Sequence, residues 1–212
     1  MKLAKSILIK DTVSLFSNKY QYKIVVVCPM ANWFRNSDFS HVASCLESLK
    51  NGQGPVWVKI KGPEDIEFTK KLSAVMSSQT DFNLRVEHPY LNFYTNNAKS
   101  IEQIASVDSN RIRYVSIPNK SSPVLQTNSV ICKKIDFGYK VFLGKTTQNY
   151  SNFVAWAKTS GNVKLTKRAE KDLGKDRSYG GSYIYVKSDK VLTMVKVYIG
   201  SSISKVESVI KA

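Results

Sequence analysis

The segment Tyr20–Cys28 (YQYKIVVVC), closed by Pro29, limits the fold more than any other stretch of the chain. Its β-branched and aromatic residues run on without the polar alternation of a strand that keeps one wet face. Such a strand sits in the middle of a sheet and needs other elements to cover it. The following residues supply cover. Asp38 or Ser37 caps a helix in which Phe39, Val42, Leu46 and Leu49 recur at helical spacing until Asn51-Gly52 stops it.

Gly54-Pro55 then leads into a short strand, Val56-Trp57-Val58. Gly62-Pro63 opens a second helix, with Pro at its first position, Glu64, Asp65 and Glu67 in its first turn, and Phe68, Leu72, Val75 and Met76 as its buried stripe. Phe82, Leu84 and Val86 alternate as a strand, Pro89 interrupts it, and Tyr90–Tyr94 continues in extended form. A third helix over Ala98–Val107 buries Ile101 and Ile104, and Arg111–Ile117 returns as a strand. Strands and helices therefore alternate in this half.

Beyond it the pattern changes. Two strands follow one another, Ser129–Lys134 and Phe137–Leu143. A helix over Asn152–Ser160, capped by Ser151 and ended by Gly161, presents Phe153, Trp156 and Ala157. A short helix, Lys167–Leu173, lies between Thr166 and Gly174. Tyr183–Lys187 and Val191–Ile199 read as a hairpin across Ser188-Asp189. The chain closes on a predicted helix, Ser204–Lys211, with Ser204 and Glu207 at capping-box spacing and Ile203, Val206 and Ile210 as its stripe. No internal repeat or low-complexity tract is visible.

These elements predict an α+β fold, with mixed or antiparallel sheets and helices packed on them, in two lobes. The first lobe covers residues 1–122 and is near neutral; the second covers 123–212 and is strongly basic. The loop Pro118–Pro123 marks the boundary. The charge is what separates the lobes. The 212 residues carry 32 Lys+Arg against 16 Asp+Glu, a net +16 with a pI near 9.7. Before Asn110 there are 13 basic and 10 acidic residues, and after it 19 and 6. The second half is thus suited to a polyanion, and nucleic acid is the expected partner. The first half is left for a protein partner or self-association.

Cys28, Cys45 and Cys132 are odd in number and form no CxxC pair, which points to a reducing, intracellular, cytoplasmic setting rather than a disulfide framework or zinc ribbon. Lys5, Lys10 and Asp11 interrupt the N-terminal apolar residues too early for a signal peptide. No apolar run approaches the ~20 residues of a membrane helix, so no membrane partner is expected.

The sequence carries no complete catalytic motif. Gly138-Tyr-Lys-Val-Phe-Leu-Gly144-Lys145-Thr146 has five residues between its glycines where a phosphate-binding loop has four, and those five read as a strand. Phe137-Gly-Tyr139 followed by Phe142 matches part of the aromatic RNA-reading strand of RRM domains, but Asp136 and Lys140 stand where that motif has Gly and an apolar residue. Glu64, Asp65 and Glu67 serve a helix dipole more simply than a metal, and a two-metal nuclease would need Asp81, Glu87 or Asp136 to converge with them. His41 and His88 lie too far apart for a zinc-hydrolase motif. Cys28 reads as a buried structural thiol rather than the nucleophile of a Cys–His pair. No catalytic residue, metal site or cofactor is expected.

The strongest positive signal is Lys164–Arg177 (KLTKRAEKDLGKDR), with six basic residues in fourteen, followed by Ser178-Tyr179-Gly180-Gly181. Lys164, Lys167, Arg168, Lys171, Lys175 and Arg177 are the expected phosphate contacts. Gly180-Gly181, beside Tyr179, would let backbone amides approach a phosphate. Tyr183, Tyr185 and Lys187 alternate on one strand face and would stack bases beside the basic helix. The expected function is a non-catalytic nucleic-acid-binding accessory protein that relies on phosphate charge and stacking, DNA and RNA being equally open. The alternatives are a viral or phage structural or assembly protein, and a metal-dependent nuclease.

Overall fold

The computed structural model describes residues 1–51, 53, 62–119, 125–132 and 134–211. The strand expected at Val56–Val58 lies outside the described residues. The chain divides into two compact units: Met1–Thr12 with Phe16–Lys120, and Val13–Leu15 with Ser121–Ala212.

Unit one contains β1 (Ile9–Thr12), β2 (Tyr22–Val27), α1 (Phe39–Lys50), α2 (Pro63–Ser77), β3 (Phe82–Glu87), β4 (Tyr90–Thr95), α3 (Ala98–Val107) and β5 (Ile112–Pro118). Its sheet runs in the order β1-β5-β2-β4-β3, with β1 parallel to β5 and the other pairs antiparallel. As the apolar run requires, β2 is central. Its Ile24 and Val26 join Leu91, Phe93 and Val115 in a core closed by Val42 and Leu46 of α1, Leu72 and Met76 of α2, and Ile101 and Ile104 of α3. All three helices therefore cover one face of the sheet.

Local signals place the helices. The Asp38 carboxylate accepts from the His41 amide at 3.0 Å and caps α1. Asn97 accepts from the Lys99 amide and caps α3. Pro63 starts α2 with Glu64 and Asp65 in its first turn. Asp65 does more than complement the helix dipole: it is buried, and its carboxylate is 2.7 Å from the Arg111 guanidinium. Around Pro89 the expectation needs correction. Tyr90–Tyr94 does not extend the preceding strand but returns antiparallel to it, placing Tyr90 opposite Glu87 and Thr95 opposite Phe82. The chain reverses at His88-Pro89, where the ring fixes φ for a turn and withholds the amide a continuing strand would use.

Unit two contains β6 (Ser129–Cys132), β7 (Tyr139–Leu143), α4 (Ser151–Ser160), β8 (Val163–Leu165), α5 (Lys167–Leu173), β9 (Tyr183–Val186), α6 (Asp189–Ile199) and β10 (Ile203–Lys211). Gly161 ends α4 in the left-handed region, and the Thr166 hydroxyl caps α5 by accepting from the Ala169 amide at 3.1 Å. Two expectations fail here. Val191–Ile199 is helical, because Leu192, Val195 and Ile199 recur at helical spacing and fill the core. The β-branched content that suggested a strand is overridden by that packing. Conversely, Ser204–Lys211 is strand. It lies between β6 and β7, and the S-x-x-E spacing caps nothing, since a central sheet position outweighs a local capping signal.

The sheet order of unit two is β6-β10-β7-β9-β8, with β6 parallel to β10 and the rest antiparallel. Counted within each unit, both sheets read 1-5-2-4-3 with the same parallel pair. Strands two to five, with their helices, form the split β-α-β arrangement in each. The expected α+β, two-lobed architecture with mixed sheets is what the chain adopts, and its topology is used twice. In both units the helices cover one face: Phe153 and Ala157 of α4, Ala169 and Leu173 of α5, and Leu192 and Val195 of α6 share a core with Val141, Ile184 and Val186.

Candidate nucleic-acid interface

Strand alternation puts Val141 and Leu143 of β7, and Ile184 and Val186 of β9, into the core beneath the helices. The same alternation turns Lys140, Phe142, Tyr183 and Tyr185 to the opposite face. Two cross-strand rows result. In one, Lys164 pairs with Tyr185, Tyr185 with Lys140, and Lys140 with Glu207. In the other, Tyr183 pairs with Phe142 and Phe142 with Lys205. The Phe142 and Tyr183 ring centroids are 5.9 Å apart, and Tyr183 meets Tyr185 edge-on at 5.5 Å. The Lys140 ammonium lies 4.3 Å from the Tyr183 centroid and 4.7 Å from that of Phe142. Glu207, the acid of this face, is buried and held by Lys205 at 2.7 Å. Among the described residues Lys140 and Lys164 make no ion pair.

The tyrosines differ in access. Tyr183 and Phe142 are half-buried, whereas Tyr185 is only 8% exposed and packs against Phe137 at 6.2 Å. Burial, with smaller contributions from Cys132 and Tyr183, pushes the Tyr185 phenol up to about 12. Tyr185 thus packs edge-on beside Tyr183, and Tyr183 and Phe142 are the more accessible rings of this face. Lys187 continues the alternation past β9 and is exposed.

Helix α5 does not share this face. Its Ala169 and Leu173 enter the core beside Ile184 and Val186, so Lys167, Arg168 and Lys171 border the helical layer instead. Charge on α5 is partly answered locally: Arg168 reaches Asp172 at 3.7 Å and donates to the Gly180 carbonyl at 3.3 Å, and Lys158 holds Glu170 at 2.5 Å. Lys175 is exposed just beyond the helix. Apart from Lys164, the basic run and the tyrosine strand thus form two surfaces rather than one groove.

The loops after β7 and α5 hold a further cleft of about 290 Å³ lined by Lys145, Thr146, Thr147, Arg177, Ser178 and Tyr179, the last of them 93% exposed. Its walls are joined by mutual Thr146 and Ser178 backbone hydrogen bonds of 3.0 Å. The Gly180 and Gly181 amides do not offer themselves to phosphate. The first donates to the Ser178 hydroxyl at 3.2 Å and the second to the Leu143 carbonyl at 2.9 Å. The glycines serve packing: a Cβ on Gly180 would lie 2.5 Å from the Gly144 carbonyl. The Gly144 amide likewise donates to the Ser202 carbonyl at 2.7 Å, so Gly138–Thr146 is a strand and its exit.

Other candidates are occupied. Asp81 holds Lys19 at 2.5 Å, Glu87 holds Arg85 at 2.7 Å, and Asp136 holds Lys211. Among the described residues no three His, Cys, Asp or Glu converge. Cys28 is fully buried, and burial pushes its thiol up to about 11. His41 lies on α1 with its Nε2 3.5 Å from Cys45 Sγ, and His88 lies in the β3–β4 turn. No helix among the described residues is long and apolar enough to cross a membrane.

Lys140 and Phe142 were visible in the sequence only as parts of imperfect motifs. Their value comes from pairing with Tyr185 and Tyr183, more than forty positions later, which no local pattern carries. Comparison with protein-family models, with curated proteins and with solved structures finds no match to this chain.

Proposed function

We propose that the protein binds single-stranded nucleic acid without catalysis, through the helix-free sheet face of unit two. The observation that carries this reading is the Lys140 ammonium poised over the Phe142 and Tyr183 rings, with Lys164 in the same row on the far side of Tyr185. Unpaired bases stack on aromatic rings while cations track the phosphates, and a sheet with exposed rings is a recurrent platform for this. A duplex hides its base faces and gains little from such a surface.

In the free protein Lys140 occupies the ring faces. A cation–π contact of this exposed kind contributes about 0.5–1 kcal/mol, against about 1–3 kcal/mol for a stacked base. A phosphate that draws the ammonium aside therefore exchanges the weaker contact for the stronger. Lys187 extends the same face. Arg177 and Lys145 around the loop cleft, and Lys167, Arg168, Lys171 and Lys175 around α5, attract the strand at longer range.

Anisotropy titrations of labelled single- and double-stranded DNA and RNA at several salt concentrations test the reading. Single strands should bind most tightly, and Tyr183→Ala or Phe142→Ala should weaken binding by about 5- to 150-fold, the equivalent of one lost stack. Lys167→Ala/Arg168→Ala/Lys171→Ala should mainly flatten the salt dependence. Absence of binding at near-physiological salt, or ring variants that bind like wild type, would overturn it.

A second reading, an assembly protein of viral or phage type, is favoured by one feature. Met194, Val197 and Tyr198 of α6 are exposed, Val197 by 82%, and Tyr198 stacks on Trp156 at 5.3 Å. An apolar surface of this kind suits a protein partner.

A further inference from the structure

Unit one repeats the arrangement on which the proposed function rests. Its β2 and β4 occupy the sheet positions that β7 and β9 hold in unit two. Lys23 pairs with Tyr94 as Lys140 pairs with Tyr185, and the adjoining core pairs, Ile24 with Phe93 and Val141 with Ile184, match as well. The equivalence extends to the sequence: β2 begins Tyr22-Lys23-Ile24 and β7 begins Tyr139-Lys140-Val141. In both units the lysine lies on the face opposite the helices.

On that face a row runs across all five strands: Lys10, Ser116, Lys23, Tyr94 and Asn83 are successive cross-strand partners. The Lys23 ammonium is 5.4 Å from the centroids of both Tyr94 and Tyr114. Phe16 packs on Tyr94 at 5.4 Å, Lys10 caps the Tyr114 ring at 4.0 Å, and the Arg113 guanidinium lies 4.5 Å from the Tyr90 centroid. Among the described residues Lys10, Lys23 and Arg113 make no ion pair. This cationic-aromatic face belongs to the half of the chain that is near neutral by count, so its chemistry is concentrated by the fold rather than by composition.

We infer that this face of unit one is a second single-stranded nucleic-acid site, built from Lys10, Lys23, Arg113, Tyr94 and Tyr114, so that each chain takes up two segments of strand. The inference rests on the proposed function of unit two. Both faces share the device of a lysine laid over two rings, which yields to a phosphate and uncovers the rings for bases. The phosphodiester and the unpaired base are the recognised chemistry, and parallel DNA and RNA oligonucleotides distinguish the two sugars.

Calorimetric titration of the full chain with eight-nucleotide DNA and RNA tests it. Wild type should bind two oligonucleotides per chain, and Lys10→Gln/Lys23→Gln/Arg113→Gln should bind one. The Gln variant removes charge while leaving the rings and the core in place, and circular dichroism checks its fold. Removing three phosphate contacts should lower the salt slope of a longer strand by about 2, at ~0.7 per contact. Lys140→Gln/Tyr183→Ala should also bind one, now on unit one, and the combined variant none. If the unit-one variant keeps the stoichiometry, affinity and salt slope of wild type while the unit-two variant abolishes binding, the second site is refuted and the first stands. If wild type binds nothing, both readings fall.

Discussion

Gly180 and Gly181 form a matched pair on which the packing of the unit-two loop can be tested. Both sit at positive φ, 76° and 82°, so alanine at either position meets the same backbone penalty of about 1–2 kcal/mol. They differ in what a Cβ would touch. At Gly181 the nearest atom is the Arg168 Nη2, 3.5 Å away, an ordinary contact with a mobile side chain. At Gly180 the Cβ would lie 2.5 Å from the Gly144 carbonyl carbon and oxygen and 2.8 Å from its Cα, all backbone. Relief requires the loop to part from the end of β7, at an overpacking cost of about 1–3 kcal/mol. Gly181→Ala should thus lose about 1–2 kcal/mol and Gly180→Ala about 2–5 kcal/mol. Urea unfolding followed by circular dichroism and by fluorescence measures both. Equal losses within about 0.5 kcal/mol would refute the claim that backbone approach to Gly144 fixes this loop.

Three further outcomes follow from the same geometry. Because burial raises Tyr185 from its ordinary value to about 12, the folded state keeps its proton between those limits while the unfolded chain loses it. Its stabilising contribution is complete below pH 10 and disappears as pH rises to about 12, so Tyr185→Phe should lessen the alkaline fall in stability; an unchanged slope would contradict this. The Thr166 hydroxyl accepts from the Ala169 amide and donates to the Tyr183 carbonyl at 2.9 Å. Thr166→Ala should cost about 1–2 kcal/mol in urea unfolding, with Thr166→Ser recovering most of it. Asp65→Ala removes the buried 2.7 Å partner of the Arg111 guanidinium, which keeps Asp108 at 3.3 Å, and should cost about 1.5–3 kcal/mol by the same assay.

How far the sequence could be read depended on whether a signal was local. The cap at Asp38, proline at the start of α2, Thr166 before α5 and Gly161 after α4 are short-range features, and the helices they bound were expected within a residue or so. The two reversals in unit two had the opposite origin. Val191–Ile199 is rich in strand formers, and Ser204–Glu207 has a helix-start spacing, yet the core and the vacant position between β6 and β7 decided both. The doubled topology leaves almost no trace in the sequence, where little beyond Tyr22-Lys23 and Tyr139-Lys140 repeats. The candidate site was half legible. Tyr183 and Tyr185 share a face as their alternation required, and Lys164 joins them from β8, but α5 lies in the helical layer because Ala169 and Leu173 pull it into the core. Unit one's cations were averaged away by counting charges along the chain.

Ultraviolet crosslinking of the protein to single-stranded oligonucleotides bearing 5-iodouracil, with mass-spectrometric mapping of the attached residues, tests most directly whether the helix-free sheet faces take the bases. Crosslinks should fall on Tyr183 and Phe142 of unit two, and on Tyr94 or Tyr114 of unit one, and should weaken as salt rises. Crosslinks confined to α5 and the loop around Tyr179, with none on either sheet face, would contradict base stacking on the sheets and assign any binding to charge alone.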